Sequence, residues 1–198
     1  MPRSDALSRF IAVLGAGLGA AYAPGHPGHT VAQRMRQALT APAQQCSALA
    51  PHTLPVCQHL GAALDSAQAT GSAPLGAWAN AFAHLAPDLH WARSQRPGTD
   101  TFHHGHANTE IVGPTGLEQR TDVVLGASLL APGVVYPDHD HPPEEIYLVM
   151  SAGDWFTPRV GWYTPGAGGA VHHPPGIVHA MRSGTTPLLA VWCLWPGP

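Results

Sequence analysis

The stretch GVVYPDHDHPPEEIYL, residues 133–148, contains a His-x-His pair, a glutamate and two tyrosines. In a β-strand, residues two apart point to the same face, so His139 and His141 are expected to project together. If the chain bends at the two prolines that follow, Glu145 can return on the paired strand and meet them. Tyr136 and Tyr147 flank these three side chains. The stretch therefore predicts two strands that share one polar site.

A second stretch, GGAVHHPPGIVH, residues 168–179, ends in a further histidine, His179. Three imidazoles and one carboxylate form a donor set that suits zinc, iron, nickel or manganese. Such a set leaves coordination positions open for a substrate. A metal-binding site built from both stretches is therefore the first hypothesis.

Both stretches resemble the two sequence motifs of the cupin superfamily. Residues 133–145 match glycine, five residues, His-x-His, three residues and glutamate, and residues 168–179 match glycine, five residues, Pro-x-Gly, two residues and histidine. A His-x-His pair alone is often only two exposed histidines, but the complete spacing favours the metal site. There are two departures from the pattern. Gly153 stands one place late, and Ser183 replaces a frequent asparagine, but neither position is a ligand.

A narrower resemblance is to the cupin-type dimethylsulfoniopropionate (DMSP) lyases, most closely the type called DddQ. It rests on Tyr136, Tyr147, WYTPG at residues 162–166 and HPPGIVHAMR at residues 173–182. The resemblance implies one divalent transition metal ion per chain, which would be Zn, Fe, Mn, Ni or Co. Its expected ligands are His139, His141, Glu145 and His179. Tyr136 would be the catalytic base, and Tyr147 a further ligand or a second acid/base group.

The reaction that this resemblance implies is a metal-dependent cleavage of a carbon–sulfur bond. The ion would act as a Lewis acid on the substrate carboxylate while Tyr136 removes the adjacent proton. A phenol with a pKa of about 10 needs a nearby cation to serve as a base at neutral pH. Loss of that proton from DMSP would expel dimethyl sulfide and leave acrylate. The alternatives are a lyase, isomerase or Fe(II) dioxygenase acting on another small carboxylate, or a non-catalytic ligand-binding cupin, which would tolerate loss of Tyr136.

A sulfonium substrate would favour aromatic walls in its binding cavity, because the face of an aromatic ring attracts cations. Several aromatic side chains of the second half are available for this purpose. They are Trp155, Trp162, Tyr163, Trp192 and Trp195. The sequence does not select among them.

The composition and periodicity indicate a mainly β fold preceded by helices. The chain has 198 residues, of which 21 are proline and 22 glycine, a proportion that suits many short strands and turns. Residues 1–86 are predicted to form a helical region, with helices near 30–41, 54–69 and 75–85. Residues 87–198 carry eight short strands without interleaved helices, which indicates a cupin jelly-roll barrel that holds the metal site. The helical region is expected to pack on the barrel, and it offers a surface for a homodimer.

The N-terminal region admits two interpretations. The apolar run 10–23 superficially resembles a signal peptide. However, an amphipathic stripe from Leu7 to Leu18 and a candidate N-cap at Ser4 favour a structural helix. The run is too short to span a bilayer, so a cytoplasmic protein is expected. A net charge of -3 with nine basic residues gives no basic patch for nucleic acid.

The remaining histidines and the cysteines are predicted to be structural. His103, His104 and His106 are expected in a loop or strand edge near the barrel mouth, where one of them could contact substrate. No carboxylate stands at ligand spacing to them, and alternation would place His104 and His106 on one face. Of His172 and His173, at most one can face the barrel interior. The cysteines are expected to be free thiols, and they are Cys46, Cys57 and Cys193.

Overall fold

The computed structural model describes residues 3–43 and 49–197, so Cys46 lies outside the described residues. The first half is helical, as predicted. Its helices are α1 Asp5–Ala20, α2 Pro27–Thr40, α3 Leu60–Ala69 and α4 Ala73–Leu85, with 3₁₀ turns at Pro55–His59 and Ala86–Asp88. The helix predicted at residues 54–69 is therefore a 3₁₀ turn that continues into α3.

The first helix begins at Asp5 because the Ser4 hydroxyl accepts a hydrogen bond from the backbone N–H of Leu7, at 3.3 Å. The predicted apolar stripe is buried along its whole length, from Leu7 to Leu18. Gly17 lies against the Trp78 indole of α4, so α1 and α4 pack closely. None of the helices in the described residues is long and apolar enough to cross a membrane.

The second half forms two antiparallel sheets. Its strands are β1 Trp91–Ala92, β2 His106–Val112, β3 Val124–Leu130, β4 Val135–His139, β5 Glu144–Val149, β6 Asp154–Thr157, β7 Gly161–Tyr163, β8 Ala170–His173, β9 His179–Arg182 and β10 Leu188–Trp195. The order is β1-β2-β3-β10-β5-β8 in one sheet and β4-β9-β6-β7 in the other. The short strand β6 was not among the eight that periodicity indicated.

The alternation of side chains along β5 divides the core into two parts. Ile146 and Leu148 face outward and pack with the helices in one hydrophobic cluster, together with Phe10 and Phe82. Tyr147 faces the other way and belongs to a second cluster inside the barrel. The helices therefore cover the outer face of the six-stranded sheet, and its inner face is left for the polar site.

The prediction of a loop or strand edge is wrong for residues 101–105, which are helical, whereas residues 106–110 lie in a strand. The Thr99 hydroxyl accepts a hydrogen bond from the N–H of Phe102, at 3.2 Å, and caps a short helix, α5 Asp100–Gly105. β2 begins directly after it, so the chain changes from helix to strand between His104 and His106, and residues two apart no longer share a face across this point. His104 is consequently exposed and His106 buried, and they do not share a face.

Candidate metal centre

The strand register brings the predicted ligands together from both sheets. His139 on β4 stands opposite His179 on β9, and Glu145 on β5 stands opposite His173 on β8. Glu145 Oε2 lies 3.2 Å from His179 Nε2 and 3.3 Å from His141 Nε2. The candidate ligand atoms of His139, His141 and His179 all lie within 4.8 Å of one another.

His141 reaches the cluster from a loop, which corrects the prediction that both histidines share one strand. β4 ends at His139, and a register shift separates Tyr136 from His139. The carbonyl of His141 accepts the backbone N–H of Gly176 at 2.9 Å, and this bond ties the two motif stretches together. The glycine is needed there because its φ is +69°.

The three histidines share one tautomer. Their Nδ1 atoms lie 2.9, 3.0 and 2.9 Å from the carbonyl oxygens of Pro137, Pro143 and Ile177 respectively. A carbonyl only accepts hydrogen bonds, so each Nδ1 carries the proton, and in the neutral ring Nε2 presents a lone pair. A hydrogen bond from the second ring nitrogen to a backbone carbonyl is typical of metal-ligating histidines.

The electrostatics of the cluster fit a bound cation. Burial opposes ionisation of Glu145, but the surrounding imidazoles of His141, His173 and His179 outweigh burial and hold the pKa of this carboxyl well below its usual range. Burial is the main cause that lowers the pKa of His139 to about 3, so its ring is neutral. His179 Nε2 is buried and has no hydrogen-bond partner among the described residues. Lone pairs that converge on a buried carboxylate require a cation, and the donor set suits a transition metal.

His173 is a further member of the cluster whose role the sequence left open. It is fully buried, and its Nδ1 lies 3.4 Å from Glu145 Oε2. Glu145, His173 and His179 form a second group of candidate ligands, which shares His179 with the group of His139, His141 and His179. The adjacent His172 points away from the barrel interior, with Nε2 2.7 Å from Glu144 Oε1.

The two tyrosines lie beside the cluster. The rings of Tyr136 and His139 are 4.4 Å apart between centroids, and both Tyr136 and Tyr147 are buried. Burial and the negative charge of Glu145 raise the pKa of Tyr147 well above its usual range, with a hydrogen bond to Glu145 adding to the shift. The Tyr147 hydroxyl therefore stays protonated beside the carboxylate.

A cavity of about 610 Å³ opens onto the cluster. Both tyrosines and the predicted ligands His139, His141 and Glu145 line it. Its other walls are residues 94–97, Asn108, Ser128, Trp192 and Leu194. Of the five aromatic residues proposed for a cation-binding wall, Trp192 is the one that lines this cavity. Trp155 is buried in the barrel core, and Trp162 is exposed with the Arg182 guanidinium 4.3 Å above its ring.

A polar chain leads from the cavity wall to a buried histidine. Asn108 Oδ1 accepts a hydrogen bond from the Ser128 hydroxyl at 2.5 Å and lies 3.0 Å from His106 Nε2. Burial lowers the pKa of His106 to about 4, so this ring is neutral. It packs edge-on against the Tyr136 ring at 4.7 Å between centroids. Of the three histidines around residue 104, His106 is therefore the one beside the site.

The two facing antiparallel sheets and the histidine–glutamate cluster between them define a cupin barrel, which confirms the predicted fold class. Residues 28–190 match the profile of the dimethylsulfoniopropionate lyase family. This chain belongs to that family.

Two curated relatives are similar in sequence. One is named "Putative dimethylsulfoniopropionate lyase DddL", from Cereibacter sphaeroides, and is 29% identical over 148 residues. The other is dimethylsulfoniopropionate lyase DddQ from Ruegeria pomeroyi, 38% identical over 68 residues. The matches cover 74% and 33% of this chain, and 61% and 32% of the relatives. The chain thus matches less than two thirds of either relative's length.

Two solved structures share the fold over nearly the whole chain. One, described among the DMSP lyases RdDddP and RnDddQII, gives a TM-score of 0.70 at 22% identity and covers 96% of this chain and 92% of its own. The other is DMSP lyase DddQ from Ruegeria pomeroyi, with a TM-score of 0.67 at 19% identity, covering 97% and 92%. The coverage shows that the helical half belongs to the shared fold.

Proposed function

We propose that this protein is a metal-dependent carbon–sulfur lyase that cleaves DMSP to dimethyl sulfide and acrylate. The observation that carries the proposal is the convergence of three imidazoles and the Glu145 carboxylate beside a cavity that two buried tyrosines also line. Membership of the DMSP lyase family supports the choice of substrate class. The cavity of about 610 Å³ has room for a small carboxylate.

The ligands of one divalent transition metal ion are His139, His141, Glu145 and His179 in this proposal, with Tyr147 as a further ligand or a second acid/base group. When bound, the ion supplies Lewis acidity toward the substrate carboxylate. The protein contributes the fixed tautomers of the three imidazoles, because their Nδ1–H groups are already committed to backbone carbonyls.

Tyr136 is the base in this proposal. As a phenolate, which a bound cation nearby would stabilise, it takes the proton from the carbon next to the carboxylate and becomes the neutral phenol, and the electron pair of that C–H bond forms the new C=C bond. The C–S bond breaks with its electrons going to sulfur, so dimethyl sulfide leaves as a neutral molecule and no general acid is needed. Tyr136 is buried, so its side chain is shielded from bulk water when it accepts the proton.

Headspace detection of dimethyl sulfide from purified protein given DMSP tests the proposal. We expect release that depends on added Zn, Fe, Mn, Ni or Co, and a loss of about 10²–10⁴-fold in turnover for Tyr136→Phe with unchanged metal content. Tyr163→Phe is the matched control, since Tyr163 is half-buried in the barrel but does not line the cavity. Near-normal turnover of Tyr136→Phe would exclude Tyr136 as the base. If no dimethyl sulfide is released with any of the five metals, DMSP is not the substrate. The alternative is then a cupin site that takes another small carboxylate.

A further inference from the structure

We propose that Arg96 binds the substrate carboxylate and that the cavity therefore accepts its substrate in one orientation. The inference rests on the proposed function, because it takes the substrate to be a small carboxylate with a cationic group at its other end. It starts from residues 94–97, which lie between β1 and α5 and form one wall of the cavity beside the metal ligands.

Arg96 is turned inward from an otherwise exposed segment. Its neighbours Gln95 and Pro97 are exposed, whereas Arg96 is half-buried. The backbone N–H of Arg96 donates to the Ser94 hydroxyl at 3.2 Å, which bends the segment at this point. Arg96 Nη1 donates to the carbonyl of Asp140 at 3.4 Å. Asp140 stands between two predicted ligands, so the guanidinium lies next to the metal centre.

The guanidinium retains free hydrogen-bonding capacity. Arg3, Arg120 and Arg182 each contact a carboxylate, whereas Arg96 has no carboxylate partner among the described residues. It is also the only arginine or lysine among the residues that line the cavity. A guanidinium presents planar paired donors that match the two oxygens of a carboxylate. An unpaired arginine facing the cavity is therefore suited to a carboxylate ligand.

Arg96 places a positive charge at this end of the cavity. A cation at this end of the cavity attracts the carboxylate of a zwitterion and repels its sulfonium. Arg96 and a bound metal ion would thus favour the same orientation.

Trp192 offers a surface for the sulfonium end. It stands in register with Tyr147 on β5 and Gly126 on β3, on the inner face of the six-stranded sheet. A Cβ atom at Gly126 would lie 2.2 Å from Cζ2 of Trp192, so the glycine makes room for the indole against β3. The face of an indole attracts cations, and this contact does not compete with the carboxylate for Arg96.

Equilibrium binding of two simple probes to the metal-loaded protein tests this assignment without turnover. Propionate carries only the carboxylate and trimethylsulfonium only the cation. We expect Arg96→Gln to weaken propionate binding by about 10-fold to 100-fold, because a charged, paired hydrogen bond is lost. We expect trimethylsulfonium to bind Arg96→Gln at least as well as the wild type. Arg93→Gln is the matched control, since Arg93 is exposed and does not line the cavity.

The outcomes separate cleanly. Unchanged propionate binding by Arg96→Gln overturns the proposal, and so does equal weakening of both probes, which would show a collapsed segment rather than a lost carboxylate contact. A selective loss of propionate supports it. Should the wild type release no dimethyl sulfide while the selective loss is observed, the lyase assignment falls and the carboxylate contact stands. If dimethyl sulfide is released, Arg96→Gln is expected to raise the KM for DMSP.

Discussion

Three imidazoles, those of His141, His173 and His179, contact the Glu145 carboxylate. Of these, only His173 could keep its hydrogen bond to the carboxylate when a metal ion is bound. His141 and His179 face the carboxylate through Nε2, at 3.3 and 3.2 Å. These Nε2 atoms would coordinate the metal ion. His173 faces it through Nδ1 at 3.4 Å, and its Nε2 is buried without a hydrogen-bond partner in the described part of the chain. His173 is therefore placed to orient the carboxylate by donating Nδ1–H to it.

We predict that His173→Gln weakens metal binding by about 10-fold to 100-fold, because an unsupported carboxylate loses its fixed orientation. Competition with a chelator measures the affinity directly. His172→Gln is the matched control, since His172 is adjacent in sequence and is bonded to Glu144 outside the barrel. Wild-type affinity in His173→Gln would show that Glu145 needs no such support.

The candidate ligands could be grouped from the sequence, but the residues around them could not. The motif spacing alone predicts that His139, His141, Glu145 and His179 lie together. His173 and Arg96 lie outside any such spacing. Which of two adjacent histidines faces inward depends on the pairing of β8 with β5, and Arg96 lies in a connecting segment without a periodic pattern.

At the scale of the elements, a helix with both a cap and an apolar stripe is predictable, whereas a helix of six residues is not. α1 carries Ser4 as N-cap and a continuous buried stripe, so its existence follows from local signals. α5 has six residues, too few for a period, and it was missed although Thr99 caps it.

Two helical glycines give opposite predictions for element packing. A Cβ at Gly17 on α1 would lie 2.3 Å from the Trp78 indole of α4, so Gly17→Ala should destabilise the protein by about 1–3 kcal/mol. A Cβ at Gly76 on α4 meets nothing within 4 Å, so Gly76→Ala should stabilise it by about 0.5–1 kcal/mol through helix propensity. Chemical denaturation measures both. Effects of equal sign would contradict the described packing of α1 on α4.

At the scale of the whole molecule, the helical half and the barrel are joined by polar as well as apolar contacts. Arg3, just before α1, donates to both oxygens of Glu118, with Nε at 2.5 Å and Nη2 at 2.7 Å. Glu118 lies in the connection between β2 and β3 and is buried, and Arg120 lies 3.6 Å from it. This ion pair fixes the start of the chain to the barrel, although no motif connects residues so far apart in sequence.

The pair predicts a defined dependence of stability on pH. Burial alone would raise the pKa of Glu118, but the hydrogen bonds from Arg3 outweigh it and lower that pKa. A glutamate in the unfolded chain has a pKa of about 4.3, so the contribution of the pair is complete above that pH and is lost as the pH falls through the lower folded-state value. Removing one partner of a buried pair should cost about 3 kcal/mol at pH 7.

The measurement is the free energy of unfolding between pH 7 and pH 3 for the wild type and Glu118→Gln. We expect the difference between them to be largest near neutral pH and to shrink in acid, because protonation of Glu118 removes the same charge as the substitution. Asp65→Asn is the control, since Asp65 is an exposed carboxylate on α3 without an ion-pair partner in the described part of the chain. A difference that stays constant to pH 3 would mean that the charge of Glu118 does not hold the helical half to the barrel, and that the apolar contacts of α1 do so alone.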